Sequence, residues 1–195
     1  MSRDTIASIE GEFRRYKTMG EGALGQIADA QLGTGEAGGN SMTSLVLHIS
    51  GNLRSRFTDF LTSDGEKPWR DRESEFVRGG SSRADLQQRW EEGFAVLFSA
   101  LAGLDDGHLG AQITIRGVAL RVDEALHRSL AHVSYHVGQM VFLGRALCGD
   151  GWKFLAKRGT APSGKLAGCF LRAWASRAAA ASVISKSTWV VSSGP

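Results

Sequence analysis

Helical periodicity recurs in four separate stretches of this 195-residue chain, and no other feature constrains its fold as strongly. In each stretch apolar residues recur three and four positions apart, which is the spacing of one helix face. The predicted helices cover residues 4–19, 41–61, 84–101 and 123–147. Ser41 is a suitable N-cap for the second helix, and Ser81 or Ser82 for the third. Gly20 either ends the first helix or only weakens it, and the chain is expected to be largely α-helical.

The segments between these helices carry turn and loop signals. Residues 31–40 contain four glycines and little apolar content, which predicts a loop. Residues 62–80 form a long polar connection that holds Trp69, and such a connection is usually either fastened to the body of the domain or functional. We expect Trp69 to act as a plug that fastens it. Residues 112–122 alternate apolar and polar side chains around Gly117, which predicts a small β-hairpin before the last helix.

Histidines on the second and fourth predicted helices suggest a metal site. His132 and His136 are four residues apart, so on an α-helix both imidazoles lie on the same face. His48 lies on a polar stripe of the second helix that is flanked by apolar residues, as is typical of a site at the edge of a core. We therefore expect His48, His132 and His136 to bind one metal ion, although an H-x-x-x-H pattern also occurs in helices that bind no metal.

The other two histidines are not expected to contribute. His127 precedes His132 by five residues and is therefore rotated by about 140° from it on an ideal helix, and His108 follows a polar turn. Three neutral imidazoles suit Zn²⁺, Ni²⁺ or another late first-row ion and leave coordination positions open. An open position allows a metal ion to activate a bound water molecule or thiol, as in catalytic sites.

Composition excludes several classes of protein. The net charge of +3 is uneven, since residues 151–195 hold seven basic and no acidic residues, whereas residues 1–150 hold 16 basic and 20 acidic ones. The basic isoelectric point therefore belongs to the tail, and we do not expect nucleic-acid binding. No apolar run reaches the length of about 18 residues that a membrane span requires. Two cysteines make no disulfide framework, so we expect a cytoplasmic protein with reduced thiols.

Three stretches resemble a known family. The pattern G-N-x-x-S-R-F-x-D-F-L-T-x-D-G-E-K-P-W-R over residues 51–70, preceded by His48, is similar to a branch of the DinB/YfiT-like metalloenzymes. Residues 114–117 and 132–139 are similar to that branch as well. The resemblance covers residues 1–155. Residues 156–195 are expected to be a divergent basic tail, for which a natural tail, a divergent extension and a shifted reading frame are alternative explanations.

The resemblance implies an all-α protein with a four-helix bundle, long connections and frequent homodimers. It also implies a divalent metal ion held by one histidine of the second helix and two of the fourth, which are again His48, His132 and His136. Relatives in that superfamily include bacillithiol transferases and mycothiol-dependent maleylpyruvate isomerases. In those enzymes the metal ion is thought to activate a low-molecular-weight thiol.

Several polar residues are candidates for roles around the metal ion. Asn52 follows His48 by one helical turn and could hydrogen-bond a metal-bound water molecule, whereas Tyr135 and Gln139 flank the ligands of the fourth helix and could orient an imidazole. Arginines cluster at the end of the second helix and in the connection that follows it. These are Arg54, Arg56, Arg70 and Arg72. They could grip an anionic substrate, but ion pairing with neighbouring acidic residues is the favoured interpretation.

Two hypotheses about function follow. The first is a metal-dependent enzyme acting on a small molecule, either a thiol S-transferase or a hydrolase. No Asp or Glu lies at an obvious general-base spacing from the histidines, which favours thiol chemistry over hydrolysis. The second is a non-catalytic bundle that is stabilised by its metal ion and binds a ligand or a partner as a dimer.

Overall fold

The computed structural model describes residues 2–35, 39–76 and 80–155, and this part of the chain consists of four α-helices, one β-hairpin and their connections. The helices are α1 (Asp4–Gln26), α2 (Met42–Phe57), α3 (Arg83–Ala102) and α4 (Val122–Cys148), and the strands are β1 (Gln112–Ile115) and β2 (Val118–Arg121). Short 3₁₀ helices lie at Asp29–Gln31, Glu73–Phe76, Asp106–His108 and Gly149–Gly151. The predicted helical fold with a hairpin before the last helix is confirmed.

Side-chain caps explain where α2 and α3 begin. The hydroxyl oxygen of Ser41 accepts a hydrogen bond from the backbone N–H of Ser44, and the hydroxyl of Ser82 does the same for the N–H of Asp85. In both helices the third residue bonds back to the cap, which completes a capping box. The prediction that Ser41 caps α2 is therefore confirmed, and Ser82 rather than Ser81 caps α3.

The structure decides the end of α1, which the sequence left open at Gly20, and it corrects the predicted end of α2. Helix α1 continues through Gly20 to Gln26, because the apolar pattern resumes at Ala23 and Leu24, both of which are buried. Helix α2 ends at Phe57 instead of residue 61, and Asp59 has a φ angle of 49°. The chain leaves the helix at Thr58, which is extended with a ψ angle of 124°, and Asp59 then adopts the left-handed conformation that aspartate tolerates better than most residues.

The hairpin is held by a two-residue turn. β1 and β2 are antiparallel, with Ile115 opposite Val118. The turn residues Arg116 and Gly117 both have positive φ angles, 55° and 72°, as hairpin turns that match the strand twist require. The carboxylate of Asp64 accepts hydrogen bonds from the backbone N–H groups of both turn residues, so the turn is fixed to the connection that follows α2.

The helices pack in a ring in which α2 lies between α3 and α4. The most extensive contacts join α2 to α3 and α1 to α4, and smaller ones join α2 to α4 and α1 to α3. One cluster of buried apolar side chains fills the space between them, with Phe13, Trp90 and Phe94 as its largest members. The contact between α2 and α4 positions the candidate site, because these two helices carry His48, His132 and His136.

All four helices belong to a compact unit that extends from Met1 to Ala156. The predicted basic tail, residues 156–195, lies outside the described residues. Within the described part of the chain, no helix combines the length and the apolar character needed to cross a membrane.

Candidate metal centre

Three imidazoles meet where α2 packs against α4. The nitrogen atoms that His48, His132 and His136 can offer to a metal ion all lie within 4.8 Å of one another. His48 Nε2 and His132 Nε2 are 3.1 Å apart, and the ring centroids of His132 and His136 are separated by 4.6 Å. The expected meeting of His48 with the histidine pair of α4 is therefore observed. His127, which was not expected to take part, lies on α4 at an exposed position.

A buried carboxylate and a buried arginine orient His48. His48 Nδ1 lies 2.8 Å from Glu75 Oε2, and since a carboxylate can only accept, Nδ1 carries a proton and Nε2 is the nitrogen left for a metal ion. Arg70 donates two hydrogen bonds to the same carboxylate, from Nε at 2.7 Å and from the terminal nitrogen at 2.9 Å. The side chains of Arg70 and Glu75 are only 2% and 7% exposed. This contact fixes both the tautomer and the ring orientation of His48.

Gly51 makes room for that carboxylate. A Cβ atom added at Gly51 would overlap Glu75 Oε1 and would lie 2.9 Å from Glu75 Cδ. The absence of a side chain on α2, one turn after His48, therefore allows the connection that follows the helix to bring Glu75 against it. Burial raises the pKa of Glu75, but the hydrogen bonds from His48 and Arg70 outweigh this effect, so the pKa lies below its usual value and the carboxylate is ionised.

Gln139 orients the second imidazole. His136 Nδ1 lies 3.0 Å from Gln139 Oε1, an amide oxygen that can only accept, so Nδ1 again carries the proton. Asn40 donates a hydrogen bond of 3.3 Å from Nδ2 to the same oxygen. His136 thus leaves its Nε2 for a metal ion in the same way as His48 does. The role of Gln139 in orienting a histidine of α4 stays a prediction, for which this contact supplies the geometry.

His132 is the least well satisfied of the three histidines. Its Nδ1 is buried and has no hydrogen-bond partner. Its pKa is lowered to about 3, mainly by burial and to a smaller extent by electrostatic repulsion from the His136, His48, Arg70 and Arg56 side chains. Burial lowers the pKa of His136 as well. These imidazoles are therefore neutral near pH 7, which is the form that binds metal ions.

The three other candidate residues differ in burial: Asn52 and Arg56 are mostly enclosed, whereas Tyr135 is exposed. Asn52 is buried and Arg56 is largely so, and both lie on α2 beside His48 in the wall of a small cavity. Arg56 pairs with Glu66 at 3.1 Å, in keeping with the favoured interpretation of the arginines as ion-paired. Tyr135 is 63% exposed, and its ring lies in a T-shaped arrangement with that of His136, with the centroids 4.9 Å apart.

The connection after α2 is fastened differently from the prediction. Trp69 is 51% exposed, with the guanidinium of Arg54 5.5 Å from its ring, so it does not plug the core. The connection is held instead by polar contacts, among which Ser55 Oγ donates to the carbonyl of Gly65 at 2.8 Å. The prediction was wrong because it assumed that burial of the indole ring fastens the connection. Buried hydrogen bonds and the Arg70–Glu75 ion pair fasten it instead.

Glu75 is the residue in contact with the candidate site that the sequence did not reveal. It lies 27 positions after His48 in an irregular connection, so no periodicity relates the two residues. Gly51 leaves room for a neighbour against α2, but a glycine in a helix does not indicate which residue that neighbour is.

Comparison with known proteins assigns the chain to a family. The sequence profile of the DUF1572 family, described as a protein of unknown function, matches residues 1–160. The chain belongs to the DUF1572 family. The match includes every helix and all three histidines of the site. No curated protein and no solved structure gave a match to the chain.

Proposed function

We propose that this DUF1572 protein binds one divalent metal ion through His48, His132 and His136 and is a metal-dependent enzyme of the DinB/YfiT-like superfamily. The observation that carries the proposal is the convergence of three imidazoles in which His48 and His136 have their Nδ1 protons engaged by acceptors. Zn²⁺ or Ni²⁺ is the favoured ion, because both are bound well by imidazole nitrogens.

The spacing of the nitrogen atoms fits such an ion. Two ligands at the usual Zn–N distance in a tetrahedral site are roughly 3.3 Å apart, and His48 Nε2 and His132 Nε2 are separated by 3.1 Å. The carboxylate on His48 and the amide on His136 correspond to the acceptors that commonly support metal-binding histidines. Among the described residues, the group of possible ligands consists of these three histidines alone, so it leaves coordination positions open.

Thiol transfer is the favoured reaction type, and hydrolysis is the other. A bound divalent ion would supply Lewis-acid activation of a thiol or of water, together with polarisation of the substrate. Glu75 is poorly suited to act as a general base, because both of its oxygens accept hydrogen bonds and its pKa is lowered. Its role is to hold His48. The lack of a free carboxylate base in this group supports a low-molecular-weight thiol as the nucleophile. From the resemblance to the DinB/YfiT-like superfamily, we also propose that the protein forms a homodimer.

Metal analysis tests the first part of the proposal. The purified full-length chain is expected to contain about one equivalent of Zn²⁺ or Ni²⁺, and the three single variants His48→Ala, His132→Ala and His136→Ala should each lose most of it. His127→Ala is the matched control, since it removes an exposed histidine from the same helix as His132. Metal content that persists in all three site variants, or that falls equally in the control, would refute the site.

The second part concerns catalysis. Cobalt-substituted protein should show a visible spectrum that changes when a thiol is added, as expected for an open coordination position. Turnover of electrophiles with thiol cofactors should then require the metal ion. The alternative, a metal-stabilised bundle without catalysis, predicts a spectrum that is insensitive to thiols. Turnover that survives removal of the metal ion would rule out the enzymatic proposal.

A further inference from the structure

A small polar cavity of about 200 Å³ opens beside His48 and His132. Five arginines from four parts of the fold contribute to its wall: Arg56 from α2, Arg70 and Arg72 from the connection after it, Arg116 from the hairpin turn, and Arg128 from α4. Its volume is below the roughly 300–1,000 Å³ of pockets for drug-sized ligands. The cavity can therefore accept a small metabolite or one end of a longer molecule.

Positive charge exceeds negative charge around this cavity. Glu75 neutralises Arg70, whereas Glu66 is shared between Arg56 at 3.1 Å and Arg116 at 2.8 Å. Arg72 stacks over Phe76, and neither it nor Arg128 has an ion pair with a carboxylate in the part of the chain that the structure describes. Two carboxylates thus face five guanidinium groups, which concentrates positive potential at the mouth of the cavity.

The arginines differ in how firmly they are held. Arg70 is almost fully buried and Arg56 is 11% exposed, and both are fixed by their carboxylate partners, whereas Arg72 and Arg128 are exposed. Burial lowers the pKa of Arg56, the bond to Glu66 offsets part of this effect, and the charges of Arg116 and Arg70 lower the pKa again. An anion placed among these groups would relieve the mutual repulsion. The exposed guanidinium groups of Arg72 and Arg128 can donate forked hydrogen bonds to this anion.

We infer that this cavity binds the oxyanion group, a carboxylate or a phosphate, of a small-molecule substrate and presents the rest of that molecule to His48 and His132. The assignment of the bound molecule as a substrate rests on the proposed function, but binding of the anion itself does not require the metal ion. Arg72 and Arg128 are the residues that contact the oxyanion, and Arg56 and Arg70, each held by its carboxylate partner, form the polar wall behind it.

Calorimetry on the metal-free, chelator-treated full-length chain tests the inference. Inorganic phosphate and malonate are titrated separately at constant ionic strength, with chloride as the control anion. One of the two oxyanions should bind at one equivalent per chain, while chloride should not. Tighter binding of phosphate would indicate a phosphate ester as the natural ligand, and tighter binding of malonate would indicate a carboxylate. The absence of binding by both would overturn the inference.

Variants then locate the bound anion. The double variant Arg72→Gln/Arg128→Gln should weaken binding by about tenfold or more, since a hydrogen bond to a charged group contributes roughly 1.5–3 kcal/mol. Both residues are exposed, so the variant should fold normally. Arg145→Gln is the matched control, because Arg145 is an exposed arginine of α4 outside the cavity wall. Equal weakening in the control would refute specific binding.

Metal content separates this inference from the proposed function. The double variant should retain the same metal content as the unmodified chain, because in the described part of the chain Arg72 and Arg128 form no hydrogen bond or ion pair with the three histidines. Loss of anion binding with the metal ion retained is the expected result. A chain that binds metal but no oxyanion would refute only the anion site, and a chain that binds an oxyanion but no metal would refute only the proposed function.

Discussion

Replacement of Gly51 by alanine tests whether Glu75 is held against α2. In an exposed helix interior this change would be stabilising by about 1 kcal/mol, since alanine is the better helix former. At Gly51, however, the new Cβ atom would overlap Glu75 Oε1 and lie 2.9 Å from Glu75 Cδ. The Glu75 side chain would have to move away, and its hydrogen bonds to His48 and Arg70 would be lost.

The expected cost follows from the burial of this pair. Arg70 is 2% exposed, so displacement of Glu75 leaves a buried guanidinium without its carboxylate. Breaking a buried ion pair by removal of one partner costs about 3–5 kcal/mol. After the gain in helix propensity is subtracted, Gly51→Ala should reduce the free energy of unfolding by about 2–4 kcal/mol. For a domain of this size the melting temperature should then fall by roughly 4–16 °C.

Urea denaturation of the metal-free chain, followed by circular dichroism, measures this change. Gly11→Ala is the matched control, because Gly11 lies in the interior of α1 at an exposed position and a Cβ atom there would meet nothing within 4 Å. It should be neutral or slightly stabilising. In a Glu75→Ala background the clash is absent, so Gly51→Ala should become stabilising there. A gain in stability on Gly51→Ala alone would show that Glu75 does not occupy this position.

Two further predictions concern pH and helix packing. In the metal-free chain His132 has a pKa of about 3, so below pH 6.5 the unfolded chain takes up a proton that the folded chain does not. Stability should therefore fall as the pH drops from about 6.5 towards 3, by up to about 1.4 kcal/mol per pH unit. Urea midpoints at several pH values should show a shallower dependence for His132→Gln but not for His127→Gln. Separately, Gly93→Ala should cost about 1–3 kcal/mol, because its Cβ atom would lie 2.8 Å from Ser50 Cα and force α3 away from α2. Unchanged stability by the same assay would contradict this packing.

The sequence predicted those parts of the molecule that depend on local pattern. His132 and His136 share a helix face because of their spacing alone, and the caps at Ser41 and Ser82 follow from the hydrogen-bonding capacity of serine. The early end of α2 was not predicted, because the left-handed conformation of Asp59 leaves no trace in the apolar pattern. The meeting of His48 with the pair on α4 was anticipated, but only the packing of α2 against α4 brings it about.

Contacts made by the long connection could not be predicted in this way. Glu75 reaches His48 because Gly51 leaves space and because Arg70, five residues earlier in the same connection, holds the carboxylate. Each of these residues has an ordinary role when considered alone, as a helix glycine, a surface acid or a surface arginine. Their combined role depends on a path of the chain that no periodicity encodes.

The same connection joins the two halves of the proposed site. Glu75 lies on the histidine side, Arg72 lies on the cavity side, and Arg70 contributes to both, since it binds Glu75 and lines the cavity. Displacement of Glu75 by Gly51→Ala should therefore weaken metal binding and also free the charge of Arg70, whereas Arg72→Gln should affect the anion alone. A metal affinity that is unchanged in Gly51→Ala would show that His48 is held by its own helix and that Glu75 serves only to neutralise Arg70.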